Sequence, residues 1–139
     1  MQRWLDADNP VLLRTDFSDE AAWASIYKAA QSLSDEEFQA NIDCVSDRSF
    51  DGLAVEQLVA LARNGSKHSF AFMADRITVT DPERPILVVD LSQVPGRTFR
   101  VIPSLMWSVE NNLSLANMDY SEFANNADPD GVFRGFSKA

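Results

Sequence analysis

Cysteine and histidine are almost absent from this chain: among 139 residues there is one of each, Cys44 and His68. A lone cysteine excludes an intramolecular disulfide framework and makes a reducing compartment the simple expectation. One histidine and one cysteine cannot build a His/Cys zinc centre within a single chain. Glycine is also scarce, with five residues and no spacing that would cradle a phosphate. No apolar run reaches the 18 residues that a membrane-spanning helix needs, and the opening MQRWLDADNP has acidic residues where a signal peptide carries its apolar segment. These features predict a cytoplasmic protein without cofactor or metal. Positive charge is in deficit as well. Twelve basic against 21 acidic side chains leave a formal charge of −9, which opposes attraction to nucleic acid or to an anionic membrane surface. The excess lies in the first half: residues 1–75 carry 6 basic and 13 acidic groups, residues 76–139 carry 6 and 8. This charge favours a basic protein as partner, or simple solubility; a small polar ligand is the other partner expected.

What is present is an ordinary globular composition, 45% hydrophobic and 24% charged. Such a chain is long enough to bury about 70% of its unfolded surface in one core. We expect a single domain over 1–139, with 1–9 as a flexible N-terminus. Val11–Leu13 begin an extended segment running into Arg14–Phe17. Ser18 is placed to cap a helix in which Trp23, Ile26, Tyr27 and Ala30 recur at core-facing spacing. Ser34–Glu37 has capping-box spacing. Ile42, Cys44 and Val45 read as a brief strand, Phe50–Gly52 as a turn, and Val55, Leu58, Val59 and Ala62 as a second helical stripe stopped at Asn64–Gly65. Phe70–Ala74 and Ile77–Val79 alternate like two strands, or one bent at Asp75–Arg76. After the turn at 81–85, Ile86–Val89 is apolar on both faces, the mark of a covered central strand ending at Asp90. Pro95–Gly96 turns into a strand over 97–102, Pro103–Ser104 opens a third helix, and Val132–Arg134 closes as a strand. A tight turn joins antiparallel strands, whereas strand–helix units join parallel ones. Together these predict an α/β fold, with α+β as the variant, built on a mixed sheet with about three main helices.

The polar chemistry concentrates between Trp107 and Phe136, where Asn111, Asn112, Asn117, Asn125 and Asn126 interrupt apolar residues. Asn competes for backbone groups inside helices, so such density marks either caps and turns or a recognition surface. Asp119 and Glu122 have capping-box spacing, which makes Asn117 a candidate for the turn between two helices. Asp16 and Asp90 both follow apolar strands, and ligands of open α/β sheets gather beyond strand carboxyl ends. They are either structural caps or, if 5–9 Å apart in a cleft, the acid and base of a small hydrolase or sugar-binding enzyme with Asn111, Asn112 and Asn117 orienting the substrate. Arg14, Arg97, Arg100 and Arg134 lie in or beside strands, where they either face an anion or neutralise the acidic groups around them. Residues 126–131, NADPDG, place oxygens like a calcium loop but have Ser137 where a bidentate Glu is required, which leaves an Asp-Gly turn. Cys44 reads as a small core residue and His68 as a surface or capping residue.

Three stretches, LLRTDFSDEAAW at 12–23, RITVTDPERPILVVDL at 76–91 and PGRTFRVIPSLMWSVENNLSLANMDYSEFANNADPDGVFRGF at 95–136, resemble a small family of uncharacterised bacterial proteins of about this length. The resemblance implies one folded domain, with the Asn-rich segment and the Arg14-Thr15-Asp16 element in a shared design, and transfers no catalytic residue. The layout is also similar, at the level of fold analogy alone, to barstar-like inhibitors, small acidic α/β proteins that bind a basic enzyme. The leading expectation is therefore a non-catalytic binding or protein-interaction module whose site residues are Asp16, Asp90, Arg97, Arg100, Asn111, Asn112 and Asn117. Its rivals are the small hydrolase and a structural subunit of a larger assembly, with contacts from Trp4 and from Phe133–Phe136.

Overall fold

Six strands form one sheet in the order β2-β1-β3-β4-β5-β6 in the computed structural model, which describes residues 8–32, 38–63 and 68–136. They are β1 (Val11–Arg14), β2 (Asp43–Val45), β3 (Phe70–Ala74), β4 (Ile86–Asp90), β5 (Thr98–Val101) and β6 (Val132–Phe133). β1 runs parallel to both β2 and β3, β3–β4–β5 are antiparallel neighbours, and β6 is parallel to β5. The mixed sheet expected from turn and crossover lengths is thus present, in an α/β domain. Residues of β1, β3 and β4 are buried on both sides, which is why Ile86–Val89 reads as a continuous apolar run; in Phe70–Ala74 the alternation is one of side-chain size, not of burial.

Among the described residues five α-helices accompany the sheet: α1 (Glu20–Gln31), α2 (Val55–Ala62), α3 (Arg76–Thr80), α4 (Met106–Ser114) and α5 (Tyr120–Ala124). One face packs Ala22, Trp23 and Ile26 of α1, Met106 and Val109 of α4, and Tyr120 and Phe123 of α5 against Leu12, Phe72, Val88 and Phe99. On the other face Leu58 and Val59 of α2, with Phe50, cover Val11, Leu13, Ala71, Met73, Leu87 and Val89. Burying a side chain such as Leu58 or Phe72 completely contributes roughly 1.5–3 kcal/mol, so two such layers supply the main folding drive. Phe99, Phe123, Phe133 and Phe136 extend the first layer as a chain of ring contacts between 5.0 and 6.3 Å.

Several local expectations are corrected. Asp19, not Ser18, caps α1 by accepting from the Ala22 amide at 3.0 Å, while Ser18 donates to Asp16. Tyr27, at the margin of the α1 stripe, is 49% exposed and meets Trp23 edge-on. The supposed strand at Ile77–Val79 is helix α3. Its β-branched alternation is overridden by a capping box in which the Thr78 amide donates to Asp75 and the Asp75 amide to Thr78 Oγ1, both at 3.2 Å. Thr78, fully buried, also donates its hydroxyl to the Pro85 carbonyl at 2.8 Å, tying α3 to the start of β4. The left-handed residue after α4 is Ala116 at φ 56°, not Asn117. Trp4, the Ser34–Glu37 capping box and the Asn64–Gly65 stop lie outside the described residues. Among the described residues no helix is long and apolar enough to cross a membrane.

Candidate functional site

Asp90 ends β4 and is 1% exposed. A carboxylate there must have its lone pairs satisfied, and they are: Oδ1 accepts from the amides of Ser92 at 2.9 Å and Gln93 at 3.1 Å, and Oδ2 from the Val94 amide at 2.9 Å and Arg97 Nη2 at 3.3 Å. The loop that joins β4 to β5 is folded around this one side chain. Gly96, at φ 96°, supplies the left-handed turn, and its amide returns to the Asp90 carbonyl at 2.8 Å. Arg97 also lies over the Tyr120 ring, 4.7 Å from its centroid. Tyr120 donates its hydroxyl between the Val88 and Arg97 carbonyls, at 2.9 and 2.8 Å. Burial, and secondarily the neighbouring Asp90 charge, pushes its pKa well above the usual tyrosine value. A phenol held neutral in this way is no proton acceptor at ordinary pH.

Beside this cluster opens a cleft of about 150 Å³. Ser69, Asp90, Ser92, Gln93, Asp119 and Tyr120 form its polar side, and Phe70, Leu113, Ala116 and Met118 its apolar side. Apart from Phe70 of β3, its apolar residues come from the joint between α4 and α5. Ala116 holds a left-handed conformation that costs an L residue about 1–2 kcal/mol, and the Asn117 amide donates back to the Asn112 carbonyl at 3.0 Å. The Asn-rich segment therefore contributes to a concave surface shared with Asp90, but through its backbone bend and apolar residues rather than through its amides.

Two of the three amides expected at a site have another occupation. Asn111 Nδ2 donates to Glu110 Oε1 at 2.9 Å and to the Gln39 carbonyl at 3.3 Å. Asn112 Nδ2 bonds back to the Ser108 carbonyl at 2.9 Å, one turn earlier in α4. Asn117 is exposed after the end of α4. Glu110, which is 3% exposed, gathers the Asn41 amide at 2.7 Å, Asn111 Nδ2 and the Ser114 hydroxyl at 2.6 Å, and so fastens α4 to the segment preceding β2.

Arg100 lies elsewhere, forked onto Asp75 at 2.9 and 2.7 Å with a further bond to the Pro85 carbonyl at 3.1 Å. Burial alone would raise the Asp75 pKa; the Arg100 contacts and the Thr78 bonds outweigh it and hold the carboxyl below its usual value. Arg134 binds Glu83, Asp128 and Asp130, so the calcium-like acids are taken by a guanidinium and the Asp-Gly turn reading holds. Among the described residues no group of His, Cys, Asp and Glu is arranged to hold a metal ion.

Asp16 is at the far end of the sheet. Arg14 pairs with Ala74 at one end of β3, whereas Asp90 pairs with Phe70 at the other. At about 3.3 Å per residue the two carboxylates stand on the order of 15–20 Å apart, beyond the span of an acid and base sharing one substrate. Asp16 instead accepts from the Ser18 hydroxyl and amide, and chiefly the hydroxyl lowers its pKa. Tyr120, Ser69, Ser92, Gln93 and Met118, all at the cleft, carry no sequence signal as site residues. Their only common cue is position, beside the ends of β3 and β4 or the α4–α5 joint.

Residues 9–136 match the family model described as Domain of unknown function (DUF6924), and the chain belongs to that family. None of the curated proteins matches it.

Proposed function

We propose that this member of the family is a non-catalytic, cytoplasmic binding module that takes a small polar ligand in the cleft between the β4–β5 loop and the α4–α5 joint. The observation that carries this reading is the cleft itself, whose apolar wall is turned by the left-handed Ala116. Backbone outliers that a fold maintains at a cost concentrate at ligand clamps and other functional positions. One polar and one apolar wall suit a molecule that is anchored by hydrogen bonds and desolvated on its other face. A volume near 150 Å³ is that of a cavity known to hold a benzene-sized molecule, enough for the buried part of a small ligand. Asp90 and Tyr120 are poor acid–base groups there, because Asp90 is committed to four donors and Tyr120 is held protonated.

A fragment screen read by amide NMR shifts tests the reading. Saturable shifts at Ser69, Ser92 and Gln93 are expected for small hydroxylated or amide-bearing molecules, and Met118→Trp should abolish them while the remaining spectrum stays native. A screen without saturable binders at these amides, or binders that Met118→Trp leaves unaffected, would overturn it.

A further inference from the structure

At the opposite end of the sheet, Arg14 is only 3% exposed although it carries a permanent charge. The strand it ends, β1, leads into α1 on one face of the sheet, whereas its neighbour β2 leads by way of Phe50 to α2 on the other. Two adjacent parallel strands whose exits diverge leave a crevice at their carboxyl ends, the usual binding position in open α/β sheets. Arg14 Nη1 spans that crevice to Ser46 Oγ at 3.2 Å. Its guanidinium carbon lies 4.3 Å from the Phe17 centroid and 5.4 Å from that of Trp23, and Arg48 approaches the same Phe17 ring at 5.2 Å. Two cations thus share one aromatic ring at the mouth of the crevice.

The hydrogen bonding of Arg14 is incomplete and lopsided. Nη2 and Nη1 reach Glu20 at 2.9 and 3.4 Å, yet the Glu20 side chain is 73% exposed, and Arg14 Nε is buried without a partner. An exposed carboxylate is a weak holder of a buried guanidinium, since ion pairs with one partner in water contribute little. Burying the cation is costly by comparison, so an anion that reaches the guanidinium offsets a cost that Glu20 leaves largely unmet. The nearby acids are turned onto their own loops: Asp16 onto Ser18, Asp19 onto the Ala22 amide and Asp47 onto the Ser49 amide. They leave the guanidinium to Glu20, but their charges bias the crevice against a dianion.

We propose that the carboxyl ends of β1 and β2 form a binding site for the carboxylate of a small molecule, anchored by Arg14 and Arg48, with Glu20 occupying the position until the ligand replaces it. This site is separate from the cleft beside Asp90 and does not depend on it.

The test is a titration of the full chain with benzoate, and separately with inorganic phosphate, at ionic strength held constant with chloride. It is read from the Arg14 Nε–H resonance, the Ser46 amide and the Gly52 amide, which donates to the Thr15 carbonyl beside Arg14 at 2.8 Å. Benzoate should shift these signals saturably and more tightly than phosphate. Glu20→Gln, which removes the competing charge on an exposed side chain, should tighten benzoate about fivefold, the equivalent of one surface ion pair. Arg14→Lys should abolish the response. Because that variant alters a buried residue, Arg48→Gln, on an exposed position, serves as the second arm and should weaken benzoate severalfold with the melting temperature unchanged. Absence of saturation, phosphate binding as tightly as benzoate, or a Glu20→Gln variant that binds no tighter would each overturn the proposal.

Discussion

Replacing Asp90 by Asn tests how the β4–β5 loop is held. The substitution keeps the side-chain shape and removes one acceptor oxygen and the charge. In the native chain Oδ1 serves the Ser92 and Gln93 amides and Oδ2 serves the Val94 amide and Arg97. An Asn amide in either orientation turns an NH₂ group toward two donors, so at least two bonds become repulsive at a position that is 1% exposed. Arg97, 29% exposed, loses its counter-charge but keeps access to water, which moderates the loss. Removing one partner of a buried pair costs about 3–5 kcal/mol, and the solvent access of Arg97 places this case near 3. For a domain of this size about 1 kcal/mol corresponds to roughly 3–5 °C, so the midpoint should fall by about 10–15 °C in a calorimetric or circular-dichroism melt. Arg97→Met should cost less, and the double variant less than the sum of the two, because each single change already removes the pair. An Asp90→Asn midpoint within about 3 °C of wild type would refute the claim that this carboxylate organises the loop.

Tyr120→Phe removes the hydroxyl shared by the Val88 and Arg97 carbonyls and should cost about 1 kcal/mol in a denaturant melt; since the native phenol pKa is raised, wild-type stability should also fall as pH rises above about 10, and the variant should lose that dependence. Asp75 behaves oppositely: its native pKa is depressed, so its contribution is present above about pH 4 and is lost as pH falls through the native value, an acid limb that Asp75→Asn should flatten in melts taken across pH. Asn111→Ala should cost about 1 kcal/mol by freeing Gln39 and loosening Glu110, whereas Asn112→Ala, which loses only a bond back to Ser108, should stay within about 0.5 kcal/mol; equal effects in urea unfolding would contradict these assignments. Ala116→Gly should stabilise by about 0.5 kcal/mol, the left-handed penalty exceeding the added chain entropy, and a lower denaturation midpoint would contradict that.

Where a pattern depends on burial alone, it is legible in the sequence. The unbroken apolar run at Ile86–Val89 announced a strand covered on both sides, and the periodicity of Trp23, Ile26 and Ala30 announced the packed face of α1. Ile77–Val79 misled because β-branched alternation reports side-chain shape, whereas the outcome was decided by Asp75 and Thr78 capping one another under the Arg100 fork. Asn111 and Asn112 read as a surface because amides are unfavourable in helices; one of them supports a buried Glu110, a long-range partnership invisible in linear order. The sequence marks Asp90 and Arg97 separately, matching Asp90 with Asp16 instead, and their pairing is visible only in the folded loop. The third member, Tyr120, is brought over the β4–β5 pair only by the course of α4 and α5.

The strands that close the sheet at its two margins, β2 and β6, contain three and two residues. Strand addition by a foreign peptide gains strength from consecutive main-chain bonds along a typical strand of about five or six residues. A margin half that length or less offers too few donors and acceptors to retain an extended peptide. The four longer strands between them are thereby shielded from templating another chain, which limits edge-to-edge propagation of the sheet.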